Sequence, residues 1–173
     1  EFIEIAKKTF KNKISFILSN IFFINYIFAF CAIFIYFSTN ILSKYILFIL
    51  LLGCVASDLG GFIFGKLLNG PKLTKISPNK TYAGAIGSLI LTSLVVNILS
   101  FYLLNIFNIK ILILALIVSI FCQLGDLLFS LLKRKANLKD TGSFLPGHGG
   151  VLDRIDGILI GIPVGFLTIL ILN

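Results

Sequence analysis

The 173-residue chain has no methionine, one histidine, three cysteines and only seven acidic residues. Each scarcity excludes something. Without even an initiator methionine, the chain is expected to begin inside a longer reading frame, with segments upstream. Cys31, Cys54 and Cys122 stand singly in apolar runs, without the paired spacing of a disulfide framework or a zinc site, and are expected as core or lipid-facing residues. Charge is scarce too. Charged residues make up 13% of the chain against 58% hydrophobic, and mean hydropathy is +1.06. A soluble domain of this length has nowhere to bury so much apolar surface, so the chain falls among integral membrane proteins. The net charge of +8 does not indicate a nucleic-acid partner, because the basic residues sit in short loops between apolar runs. There they orient spans and attract anionic head groups.

Unbroken apolar sequence is what the chain has in abundance. Five runs, 15–38, 43–65, 82–108, 110–132 and 151–172, are long enough to span, since about twenty helical residues cross a bilayer core. They are continuous rather than alternating, which favours helices over a barrel. The expected fold is an all-α integral membrane protein, a bundle of about five transmembrane helices. The run 82–108 is over-long, which predicts a tilted or partly interfacial helix. The first run is too long, and lacks the small-residue site, to be a cleavable leader. Residues 1–14 mix apolar and basic residues at helical spacing and suit a juxtamembrane segment along the membrane surface, while 15–173 form one polytopic domain. If the helices alternate, every one of the fifteen basic residues except Lys44 and Lys110 lies on one side. The positive-inside rule then puts the N-terminus and the two informative loops in the cytoplasm, and the chain in the cytoplasmic membrane.

The acids are more specific. Asp58 lies eight residues before Lys66, and Asp126 seven before Lys133. Each therefore sits about 10–12 Å inside the same end of its helix. A charge at such depth costs on the order of 2–3 kcal/mol or more unless partnered, and so marks a site; the plainer alternative is an acid paired with a lysine that holds helices together. Gln123, Asp126, Ser130 and Lys133–Arg134 recur at three- and four-residue steps as one polar stripe. Asp153 and Asp156, three apart, share a helix face and repel when both are ionised. A hard divalent ion such as Mg²⁺ would relieve that repulsion, with Asp126 completing its shell. Small residues at four-residue steps, Gly53, Ser57, Gly61 and Gly65, then Gly157, Gly161 and Gly165, predict close helix approach.

Two loops add phosphate chemistry. In SPNKT (77–81), Ser77 and Thr81 can cap a helix start and Lys80 brings a positive charge; alone this is weak, because loop lysines are usually just solvated. In LPGHGG (145–150), Gly147, Gly149 and Gly150 permit positive φ and close backbone approach, and His148 can donate or accept a proton. A lone histidine is more often structural, but this one lies in a glycine turn near three acids, with Lys133, Arg134, Lys139 and Arg154 around it. Carboxylates, basic groups and glycine turns at a membrane surface point to metal-dependent phosphoryl or nucleotidyl transfer to a lipid.

Residues 130–156, SLLKRKANLKDTGSFLPGHGGVLDRID, resemble the signature of the CDP-diacylglycerol synthases, also called phosphatidate cytidylyltransferases. Its positions are filled by Ser130, Lys133, Arg134, Lys139, Asp140, Pro146, His148, Gly149, Gly150, Asp153, Arg154 and Asp156. The stretches at 57–66, 76–88 and 123–130 are also similar to the family, so the resemblance covers about residues 50–173. The chain departs from it at Tyr82-Ala83-Gly84, where members often carry an acid, and members are usually longer at the N-terminus. The resemblance implies transfer of CMP from CTP to phosphatidate, with Mg²⁺, giving CDP-diacylglycerol and pyrophosphate. It implies Asp126, Asp153 and Asp156 as metal ligands. Lys133, Arg134, Lys139 and Arg154 would grip phosphates. Ser77, Lys80, Thr81, Ser130, Gly149 and Gly150 would lie toward substrate. His148 and Asp140 would orient loop or substrate, and Asp58 would shape the site or hold a second cation. The family often pairs as homodimers, on which the sequence is silent. A CTP-dependent polyprenol or phytol kinase-like enzyme stays open as an alternative, as does, from another class, a small cation transporter using Asp58 and Asp126.

Overall fold

Each apolar run forms a helix. The structure is a computed structural model and describes residues 1–68, 70–74, 77–142 and 149–172. The helices are α1 (Phe2–Thr9), α2 (Lys13–Phe37), α3 (Ile41–Leu68), α4 (Tyr82–Leu104), α5 (Ile109–Lys135) and α6 (Leu152–Leu172). Of these, α2 to α6 are long and apolar enough to cross a membrane, so the chain is a multi-pass helical membrane protein, as its composition predicts.

The over-long third run is not one tilted helix. It stops at Leu104, where Asn105 takes the left-handed conformation with φ 52° and its N–H closes on Phe101 and Ser100 carbonyls. Asn108 then caps α5 by accepting from Lys110 N at 3.4 Å. Asparagine tolerates left-handed backbone and competes well for cap positions, so the chain turns between Asn105 and Asn108 although Ile106 and Phe107 are apolar.

Close packing holds α3 to α6 together. In lipid there is no hydrophobic force between helices, so backbone approach and interhelical hydrogen bonds take over. A methyl on Gly60 would lie 2.6 Å from the Gly87 carbonyl oxygen, and one on Gly125 would lie 2.7 Å from that of Asp156. Glycine is thus required where α3 meets α4 and where α5 meets α6. Behind these contacts runs a buried polar ladder. Ser88 Oγ donates to the Ser57 carbonyl at 2.6 Å, Ser57 and Ser119 hydroxyls lie 3.1 Å apart, and Thr92 Oγ1 donates to the Gly53 carbonyl at 3.4 Å. Cys54 and Cys122 are buried and free, Cys31 exposed and free.

Helix α2 differs, since none of its residues is buried. Its Tyr26 hydroxyl donates to the carbonyl of Leu159 in α6. That carbonyl lacks a helical partner because Pro163, four residues on, has no N–H. In hydrocarbon such a group must find another donor, and Tyr26 supplies it.

The amphipathic N-terminal segment packs on protein. Ile5 and Ala6 of α1 are both 1% exposed, and Ile5 packs in a cluster with Phe129, Ala136, Leu152 and Leu159. Phe2 stacks on Phe23 with centroids 3.8 Å apart, and Phe23 meets Phe129 edge-on. Helix α1 is therefore fixed beside the end of α5 and the start of α6, the end of the bundle that carries the signature.

Candidate active site

At that end α3, α4, α5 and α6 enclose a cleft of about 430 Å³. Helices α3 and α5, which run in the same direction, deliver Asp58 and Asp126, and the start of α6 delivers Asp153, Arg154 and Asp156. Ser77, Lys80 and Thr81 come from the loop before α4, while Gln123, Ser57 and Ser88 form polar lining. Of the residues expected to act on metal or substrate, eight line this one cleft: Asp58, Ser77, Lys80, Thr81, Asp126, Asp153, Arg154 and Asp156.

The loop before α4 folds back on itself. Leu73 N donates to the Lys80 carbonyl at 2.7 Å, Tyr82 N to that of Pro71 at 3.1 Å, and Lys80 N to that of Ser77 at 3.1 Å. Thr81 caps α4, accepting from Gly84 N at 3.1 Å. This fold presents the Lys80 ammonium to Asp126, with which it forms an ion pair. Ser130, one turn along α5, donates to the other Asp126 oxygen at 3.3 Å and orients it.

The acids separate into two sets. Asp58, Asp126 and Asp156 feel one another's charge, and Asp156 is 8% exposed with its Oδ1 accepting from Gly157 N at 2.8 Å. Asp153 is held differently. Its Oδ1 meets Lys133 Nζ at 2.6 Å, and its Oδ2 accepts from Thr141 N at 2.8 Å, Thr141 Oγ1 at 3.0 Å and Gly150 N at 3.0 Å. Four donors therefore surround a carboxylate expected to face a metal. Among the described residues no three His, Cys, Asp or Glu side chains stand close enough to hold an ion as they are. The chemistry of Asp58, Asp126 and Asp156 still fits a hard divalent cation: three carboxylates in mutual repulsion, in a cleft whose other positive groups come from Lys80 and Arg154.

The remaining expected residues that the structure describes do not line the cleft. Lys133 pairs with Asp153. Arg134 is exposed, its Nη1 donating to the Leu138 carbonyl at 3.5 Å. Lys139 and Asp140 are exposed, with Asp140 beside Gly149. Gly149 has φ 81°, as expected of the glycine turn, and Gly150 is buried. His148, Gly147 and Pro146 lie outside the described residues.

Two participants escape sequence reasoning. Thr141 is 1% exposed and donates to Asp153. Glu1 accepts from Val151 N at 2.8 Å, Leu152 N at 2.7 Å and Thr141 Oγ1 at 3.1 Å. Burial alone would push the Glu1 carboxyl up, but the Leu152 and Val151 N–H groups and the Thr141 hydroxyl outweigh it and hold it below the ordinary carboxylate range.

The model of a family described as the cytidylyltransferase family matches residues 2–172. A phosphatidate cytidylyltransferase of Staphylococcus haemolyticus is 46% identical over 121 residues, covering 68% of this chain and 45% of that protein. One of Helicobacter pylori is 43% identical over 112 residues, 65% of this chain and 42% of that protein. One of Rickettsia bellii is 39% identical over 142 residues, 76% of this chain and 61% of that protein. The chain thus spans about half the length of the curated relatives it matches.

Proposed function

The chain belongs to the cytidylyltransferase family, and from that premise we propose that it transfers CMP from CTP to phosphatidate, giving CDP-diacylglycerol and pyrophosphate. The observation that carries this is the cleft itself, where acids of three helices face Lys80 and Arg154 at the bundle end that bears the signature. We place that end on the cytoplasmic side of the cytoplasmic membrane, where CTP is found, because nearly all the basic residues gather there.

In the reaction a phosphatidate oxygen forms a bond to the α-phosphorus of CTP, while the bond from that phosphorus to the bridging oxygen breaks and pyrophosphate leaves with its electrons. The nucleophile is already anionic at neutral pH, so the obstacle is repulsion between two anions rather than proton removal. Asp126 and Asp156, with Asp58 beside them, are the groups that would hold Mg²⁺, which would supply positive charge against the phosphates. Asp153 acts one step back, fixing the loop and the first turn of α6. Arg154 and Lys80 meet phosphate oxygens, and Lys80 becomes free to do so when Asp126 takes another positive partner. Gln123, Ser57 and Ser88 supply hydrogen bonds deeper in the cleft.

The test uses purified protein in mixed micelles of detergent and phosphatidate with Mg²⁺ and CTP labelled at either the α- or the γ-phosphate. Lipid-extractable α-label with release of pyrophosphate is expected. Lipid carrying the γ-label would mean a kinase acting on an alcohol, and no label in lipid would refute transfer.

A further inference from the structure

We infer that Glu1 is a positioning residue for transfer, anchoring the first turn of α6 so that Arg154 and Asp156 face the cleft. The inference rests on the proposed function for its kinetic consequence, but the anchor itself is a matter of geometry. Val151 and Leu152 open α6, and their N–H groups have no acceptor within the helix. Both donate to Glu1, one to each carboxylate oxygen, at 2.8 and 2.7 Å. A carboxylate there also opposes the positive end of the helix dipole.

The anchor is tied to the signature through Thr141. Its hydroxyl lies 3.1 Å from Glu1 Oε2 and 3.0 Å from Asp153 Oδ2. A hydroxyl has one proton, so the two carboxylates share it, and Asp153 is in turn paired with Lys133. Glu1, Thr141, Asp153 and Lys133 thus form one continuous polar chain from α1 through the loop to α5. Gly150 is shaped by the same contact. A methyl there would overlap the Thr141 hydroxyl and stand 2.8 Å from the Glu1 carboxyl carbon. The second glycine of the signature is therefore required first by Thr141 and then by Glu1 beside it.

Glu1 has the rigidity that an anchor needs. The helix it caps is pinned by buried Ile5 and Ala6 and by the Phe2–Phe23 stack. It does not line the cleft, so it acts through α6 and not on substrate. Arg154 lies three residues after Val151 and two after Leu152, and Asp156 follows two residues later. A shift of this turn moves both together.

The experiment compares Glu1→Gln with wild type in steady-state CMP transfer and in amide hydrogen exchange, both in the same micelles. Gln keeps the size and apolar contacts but removes the charge and one acceptor. Transfer should lose on the order of 10- to 100-fold in kcat, the scale of a misplaced catalytic group, with KM for both substrates within about twofold. Exchange at 150–152 should speed up about fivefold or more, as for loss of a helix cap, with α3 and α4 unchanged. A wild-type kcat, a change in KM alone, or protection lost evenly over all helices would overturn the inference. If Glu1→Gln fails to fold, Thr141→Val against Thr141→Ser decides: Ser should retain transfer and Val lose it, and equal activity refutes the anchor. If the wild type itself transfers no CMP, the proposed function falls, and exchange at 150–152 alone judges Glu1.

Discussion

Replacing Lys133 by Met separates two roles for the same ammonium. Its Nζ lies 2.6 Å from Asp153 Oδ1, and the two side chains are 13% and 10% exposed. Removing one partner of a buried ion pair costs about 3–5 kcal/mol, mostly because the other charge is left uncompensated. Asp153 would keep three donors, from Thr141 N, Thr141 Oγ1 and Gly150 N, so the lower end, about 3 kcal/mol, is expected. Adding Asp153→Asn removes the stranded charge, and the double variant should recover about 1–3 kcal/mol of that loss. Reversible unfolding in mixed micelles, followed by far-ultraviolet circular dichroism, measures all four corners of the cycle. The reasoning fails if Lys133→Met unfolds like the wild type while its KM for CTP rises. That result would assign the ammonium to a substrate phosphate, as the signature alone suggests.

Tyr26→Phe should destabilise the fold by about 1–2 kcal/mol, within the range of hydrogen bonds inside membranes, because the Leu159 carbonyl loses its donor. The same change should be nearly neutral beside Pro163→Ala, whose restored N–H satisfies that carbonyl; equal costs in both backgrounds, by the same unfolding assay, would refute the pairing. Gly125→Ala puts a methyl 2.7 Å from the Asp156 carbonyl and should cost about 1–3 kcal/mol by overpacking. It should also depress CMP transfer, since Asp126 and Asp156 flank the contact, and a fully active, equally stable variant would argue against it.

Much of the bundle is legible in the apolar runs, because a bilayer demands length and continuity from each span. The boundary between α4 and α5 is not, since Ile106 and Phe107 look like membrane residues while two asparagines turn the chain. The depths of Asp58 and Asp126 can be counted from the lysines at their helix ends, and both do reach the cleft. The partners of the charges cannot be counted. Lys80 and Lys133 look alike from the sequence, as loop or helix-end lysines near phosphate chemistry, yet Lys80 lines the cleft and pairs with Asp126, while Lys133 pairs with Asp153 and does not line it. Asp153 and Asp156 share a periodicity and both line the cleft, but only the first is engaged by Thr141 and Gly150. Glu1 leaves no local signal at all, because its partners are 140 or more residues distant.

No residue of helix α2 is fully buried, and most of its residues carry little packing against the rest of the bundle. Such a helix must stay apolar and helical, and little else constrains it. Phe22, Phe28 and Ile35, each at least 66% exposed, are interchangeable with other large apolar residues at small cost, whereas Tyr26 is not. Sequence drift should therefore accumulate along this span faster than along α5 and α6, and kinship judged from it would look more remote than kinship judged from the helices that build the cleft.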